Sequence, residues 1–168
     1  MKDIPIIFSP PMVRAILDNR KTVTRRLAKQ WLRVKAGQRL WVRETWSDAS
    51  GTTPGQRCAL YRATYSGPSG IIWKPSIFMP RWASRITLEA REDARVERLQ
   101  EIDGSEVEAE GLQFAWGDRQ TLGTDEERAR RLLYELLYEQ LWDSLHAHHV
   151  AKLWRDNPEV VRIAFRRI

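Results

Sequence analysis

The sequence predicts an α+β fold: a small mixed β-barrel with inserted helices, one of them long and near the C-terminus. Three observations lead there. Short segments with alternating polarity, such as Leu40–Arg43, Ser84–Arg91 and Val161–Arg166, recur along the chain and read as half-buried strands. Two short amphipathic stretches, each with a start signal and a stop signal, lie between them. A longer leucine-rich stretch follows from Thr124.

The elements follow in order. Ile4 to Phe8 reads as a short opening strand. Ser9-Pro10-Pro11 supplies an N-cap and prolines in the first turn, where a missing N–H costs nothing. Met12, Val13, Ile16 and Leu17 form one stripe, so Pro10 to Asp18 is a helix, with Asn19 as its left-handed C-cap. Residues 20–26 are an extended loop or strand. Gly37 marks a turn into the strand of Leu40 and Val42, and a second strand runs from Cys58 to Thr64. Gly, Pro and Ser crowd the region from Thr52 to Pro80, which reads as a long excursion from the barrel. Arg95–Leu99 is a further strand. Asp103 caps a helix that runs through Val107 to Glu110 and stops at Gly111. Thr124 and Glu127 form a capping box that opens the longest helix, with Leu132, Leu133, Leu136, Leu137, Leu141 and Leu145 expected on its buried side. After Asn157-Pro158 the chain closes on a strand.

Residues 1–168 are the length of one domain, large enough to bury a core without staples. The single cysteine, Cys58, leaves no intrachain disulfide and suits a reducing compartment; it is expected as a small buried residue. The first residues lack the apolar run of a secretory signal, and no segment reaches the length of a membrane span, so the expected location is the cytoplasm.

Net charge is +6, and residues 1–50 alone hold eleven Lys/Arg against four acids. A one-sided basic field attracts polyanions, which favours nucleic acid or nucleotide as partner; a solvated basic surface is the bland alternative.

The segment Asn19-Arg20-Lys21-Thr22-Val23-Thr24-Arg25-Arg26 resembles the ASCH-family signature Gly-x-Lys-x-x-Glu-x-Arg, with Lys21 and Arg26 on its basic positions. Asn19 stands for the glycine and Thr24 for the glutamate. Gly37 to Val42, Ala109-Glu110-Gly111 and Val161 to Ile168 are similar to later parts of that family. The runs 37–46 and 73–86 are similar to a phage- and prophage-encoded branch. The resemblance implies a PUA-like barrel whose cleft binds RNA or a modified base. One branch, the N(4)-acetylcytidine amidohydrolases, also carries threonine at the glutamate position. Carried over from it, the implied catalytic set is Lys21, Thr24 and Glu110.

Removing an acyl group from an exocyclic amine needs a nucleophile, a base and an acid for the leaving nitrogen. The Thr24 hydroxyl, a lysine of lowered pKa at Lys21 and a carboxyl at Glu110 are the right types. Arg26 suits a phosphate or a developing oxyanion. In an extended chain, however, Thr22, Thr24 and Arg26 share one side and Lys21, Val23 and Arg25 the other, so a Lys21–Thr24 pair requires a turn. Arg20, Arg25, Arg26 and Arg43 are the candidate ligand-binding cations, and Trp46 and Trp73 the candidate base-stacking rings among eight tryptophans.

His146, His148 and His149 lack a cysteine or acidic partner at zinc-like spacing and read as a solvated helix terminus, so no metal is expected. Neither a phosphate-cradling glycine loop nor a dinucleotide fingerprint is present, and no cofactor is expected. Three functions remain: a module that binds RNA or a modified nucleotide, an amidohydrolase on an acylated cytidine, and a ribonuclease or phage counter-defence factor acting on RNA.

Overall fold

The computed structural model describes residues 2–49, 57–112, 124–147 and 152–168, with backbone only at 124–127, 130 and 131. The Thr124–Glu127 capping box and the histidines 148 and 149 therefore lie outside the described residues and side chains.

The α+β class holds, and the strands form a mixed sheet with helices packed against it. The strands are β1 (Ile4–Ile7), β2 (Val23–Arg26), β3 (Arg39–Arg43), β4 (Trp46–Asp48), β5 (Ala59–Tyr61), β6 (Thr87–Ala90), β7 (Arg95–Arg98) and β8 (Glu159–Arg167). The helices are α1 (Pro10–Leu17), α2 (Gly104–Ala109) and α3 (Thr124–His146). The main sheet runs β1-β3-β6-β8-β2, and β7 also pairs with β8. Its β1–β3 pair is parallel, with Ile4 opposite Leu40, and its other pairs are antiparallel. β4 and β5 form a separate two-stranded sheet, β4 just before the Gly/Pro-rich excursion and β5 inside it.

Alternation in β8 sends Val161, Ile163 and Phe165 inward, where they meet Leu40, Leu88, Ile6 and the α1 residues Val13 and Ile16. Each such side chain contributes about 1.5–3 kcal/mol on burial. The turn signals hold as well. Asn19 and Asn157 take left-handed backbone (φ 58° and 43°), as do Gly37 and Gly111 (φ 77° and 94°), and the Asp103 carboxylate accepts the Glu106 amide at the start of α2.

Two expectations fail. The leucines do not form the buried side of α3: Leu132, Leu136 and Leu145 are more than half exposed, whereas Tyr134, Tyr138 and Trp142 are buried. These aromatics recur at four-residue spacing and carry polar tips. Tyr134 donates to Glu108 (2.6 Å) and Trp142 Nε1 donates to the Lys152 carbonyl (2.9 Å), so they suit a face packed over polar helix ends. Cys58 is exposed, not buried, because it stands outside β5 at the edge of the small sheet. A thiol reagent should therefore label the folded protein at one equivalent without denaturant; labelling that requires unfolding would contradict this placement.

Candidate functional site

The site forms where α1, β2 and α2 converge. After α1 the amides of Arg20 and Lys21 both donate to the Ala15 carbonyl (2.8 and 3.0 Å), and Thr22 N–H donates to the Ala109 carbonyl (2.8 Å). The chain thus turns at Lys21 and becomes a strand only at Val23. Gly111 permits the close approach: a Cβ there would lie 2.8 Å from Ala15 Cβ and 3.1 Å from Lys21 Cβ.

This junction buries a charge cluster. The Lys21 Nζ donates to the Val23 carbonyl (2.9 Å), the Glu110 carbonyl (2.8 Å) and Glu110 Oε2 (2.6 Å). Arg25 donates from Nε to Glu97 (2.6 Å), from one terminal nitrogen to Glu110 Oε1 (3.2 Å) and from the other to Glu106. Tyr138 donates to Glu110 Oε1 at 3.3 Å. Glu106 also holds Arg162, which extends the cluster to the middle of β8.

Burial lowers the Lys21 pKa, and the Glu110 carboxylate opposes this only in part. Burial pulls in the same direction on Arg25, but there the carboxylates of Glu110, Glu97 and Glu106 prevail and its pKa is raised. The Tyr138 phenol is pushed well above its usual value by burial and by Glu110.

The cluster borders a cavity of about 480 Å³, within the roughly 300–1,000 Å³ of small-ligand sites. Lys21, Thr24, Arg26, Glu110 and Tyr138 line it, with Phe8, Met12, Leu27, Leu141 and Trp142 as apolar walls. Thr24 and Lys21 therefore reach the same space despite their opposite parity. Arg26 donates from one terminal nitrogen to the Ile7 carbonyl (2.6 Å) and lies over the Phe8 ring at 5.0 Å. Its Nε is buried with no acceptor among the described residues, and burial lowers its pKa. A buried donor without an acceptor costs about 1–3 kcal/mol, which a ligand oxygen would relieve.

The other sequence candidates lie elsewhere. Arg25 borders the cavity, but its side chain is fully enclosed and committed to carboxylates. Arg20 reaches the Gly111 carbonyl (3.0 Å) and Asp18 (2.9 Å). Arg43 donates to the Met79 carbonyl (3.1 Å) and lies over Trp41. Trp46 is only 4% exposed, in a small cluster with Met79 and Ala83. Trp73 lines a different recess. His146 is not a solvated helix end: its ring stacks on Trp142 at 4.1 Å and lines the cavity.

Tyr138, Trp142 and His146 also line the cavity, outside the signature; their four-residue spacing is the one sign of them in the sequence. Among the described residues, no His, Cys, Asp and Glu group could hold a metal ion, and no helix is long and apolar enough to cross a membrane.

No family model and no curated protein matches the chain. Among solved structures, protein EF3133 from Enterococcus faecalis V583, carrying the family label DUF984, aligns at a TM-score of 0.49 and 11% identity, over 98% of this chain and 80% of that one.

Proposed function

We propose that the cavity holds one base of a ribonucleoside, free or within RNA, and that Lys21, Thr24 and Glu110 hydrolyse an acyl amide on its exocyclic amine, as on an acylated cytidine. The observation that carries this reading is the buried 2.6 Å Lys21–Glu110 pair on the same cavity wall system as Thr24. The apolar and aromatic walls suit a planar base, and the free Nε of Arg26 suits a carbonyl or phosphate oxygen. The ASCH-like signature at 19–26 supports the same assignment of roles.

As an ammonium, Lys21 has all three N–H groups engaged and cannot act as a base. Moving one proton across the 2.6 Å contact produces a neutral amine and a carboxylic acid at once, and the burial that lowers the Lys21 pKa favours that shift. The Thr24 hydroxyl then attacks the acyl carbon and gives its proton to Lys21 Nζ. Negative charge gathers on the acyl oxygen, for which Arg26 is the cation on the cavity. Breaking the C–N bond returns the electron pair to nitrogen, which takes the proton from Glu110. The acyl group is now an ester on Thr24, and the ion pair is restored. A second proton shift lets Lys21 deprotonate water, which attacks the ester; Glu110 reprotonates Thr24 and the carboxylic acid leaves.

Binding without chemistry is the second reading, and the fully engaged Lys21 ammonium favours it. Release of cytidine from N(4)-acetylcytidine decides between them. Wild type should turn over, and Thr24→Ser should retain part of the activity. Thr24→Ala should lose nearly all of it, and Lys21→Ala about 10²–10⁴-fold. Since the active form holds one proton shared between Lys21 and Glu110, kcat/KM should be level with pH and then fall as pH rises through the Lys21 pKa, which burial sets below 10.5, because the pair then has no proton left for the leaving amine. Absence of release in wild type would sink the hydrolase reading; unchanged release in Thr24→Ala would remove the nucleophile.

A further inference from the structure

Between Asp48 and Glu89 the chain contains no acidic residue, yet it carries Arg57, Arg62, Lys74, Arg81 and Arg85. Arg85 forks onto Glu44 (2.9 and 3.0 Å), and Arg81 reaches Asp3 at 3.2 Å. The other three lie on indole rings: Arg57 on Trp82 (5.5 Å), Arg62 on Trp73 (5.5 Å) and Lys74 on Trp46 (5.0 Å). Beside them Ile72, Ile77 and Phe78 are 83%, 58% and 69% exposed. Cations interleaved with aromatic and apolar surface suit single-stranded nucleic acid; the carboxylates beside them are few, with Asp3 and Glu44 held by Arg81 and Arg85 and Asp48 at the end of β4.

The lobe also contains a built recess of about 340 Å³, lined by Arg62, Tyr65, Gly67, Pro68, Gly70 and Trp73. Tyr65 stands edge-on to Trp73 at 5.4 Å and donates its hydroxyl to the Pro68 carbonyl (3.1 Å). The loop closes tightly over that ring, since a Cβ at Gly67 would lie 2.6 Å from the Tyr65 oxygen. A guanidinium lying on an indole keeps its second face free to stack on a base.

This recess adjoins the central cavity. Arg62 N–H donates to the carbonyl of Thr45 (2.9 Å), and Thr45 and Ser76 line that cavity. Trp73 is three residues from Ser76, at most about 11 Å along the chain.

We infer that this lobe binds the nucleotides that flank the base held in the central cavity, so that the ligand is a single-stranded RNA. The Arg62–Trp73 recess stacks a neighbouring base, while Arg57 and Lys74 face phosphates. The choice of RNA over DNA rests on the ribonucleoside reading of the cavity; the lobe's affinity for a single strand does not.

The test is fluorescence anisotropy with a labelled uridine oligonucleotide of about a dozen nucleotides, across a salt series. Arg57→Glu/Lys74→Glu should weaken binding by about tenfold or more. It should also lower the salt slope by about 1.4, two phosphate contacts at about 0.7 each. A charge-matched control, Lys29→Glu/Arg155→Glu, changes side chains 79% and 80% exposed and should cost less than about threefold. Trp73→Ala should cost about tenfold, and Trp73→Phe should restore most of it. Thermal melts confirm that each variant is folded.

Equal weakening by the two charge-reversed pairs would overturn the proposal, as would tighter binding of the matching thymidine oligodeoxynucleotide. So would binding of anionic lipid vesicles with none to the RNA. Calorimetry with N(4)-acetylcytidine separates the two claims. If the nucleoside does not bind but the oligonucleotide responds as described, the cavity reading fails and the lobe stands. If the nucleoside binds and the oligonucleotide binds no tighter, the lobe fails and the cavity stands.

Discussion

Glu110→Ala should cost the fold about 3–5 kcal/mol, because it strands one buried cation and takes a partner from a second. Lys21 would lose its 2.6 Å partner with its side chain only 2% exposed, and Arg25 one of its three carboxylates. Most of the loss comes from leaving charge unpaired in the interior, more than from the worth of the pair itself. Replacing both ends, as in Lys21→Met/Glu110→Met, should therefore recover much of the stability while abolishing any chemistry at the site. Urea unfolding of the three proteins measures this through the midpoints. A single variant within about 1 kcal/mol of wild type would mean that Lys21 finds water or another acceptor, and that the pair does not hold the site together.

Gly111→Ala is expected to cost about 2–5 kcal/mol, from left-handed backbone and from overpacking together. The added methyl group meets Ala15 Cβ at 2.8 Å and Lys21 Cβ at 3.1 Å, so relief requires the α1–β2 turn to move. Gly37→Ala is the matching control. Gly37 has comparable backbone (φ 77°), but nothing lies within 4 Å of its added Cβ. Its cost should be the conformational part alone, about 1–2 kcal/mol. The excess at Gly111 should be accompanied by loss of nucleoside binding, since Lys21 is displaced; equal costs at the two glycines would show that the junction yields freely.

Local signals were legible because local physics decides them. Asp103 accepts the amide it was expected to cap, Asn19 takes the left-handed backbone that ends α1, and β8 alternates as its sequence does. Of the site, Lys21, Thr24, Arg26 and Glu110 could be named on the signature's resemblance, and the cavity does gather them. Their arrangement could not be read. Strand parity separates Lys21 from Thr24, and only the two amides folded onto Ala15 remove Lys21 from the strand. Arg25 looked like a ligand-binding cation because its carboxylate partners, Glu97, Glu106 and Glu110, are more than seventy residues away in sequence. In α3 the leucines straddle the helix, while the aromatics alone carry the polar tips that this interface requires.

β8 has a consequence for how the molecule comes into being. Its nine residues pair with β2, β6 and β7, and Val23 finds its partner only in Ala164. On the ribosome, therefore, Lys21 and Glu110 emerge long before the strand that fixes the register of the sheet around them. Until then no closed sheet surrounds the two charges, and the β1–β3–β6 and β2 halves remain unjoined. Such late, non-local closure slows folding and exposes unpaired strand edges to neighbouring chains. Chaperone supply should thus affect the yield of folded protein.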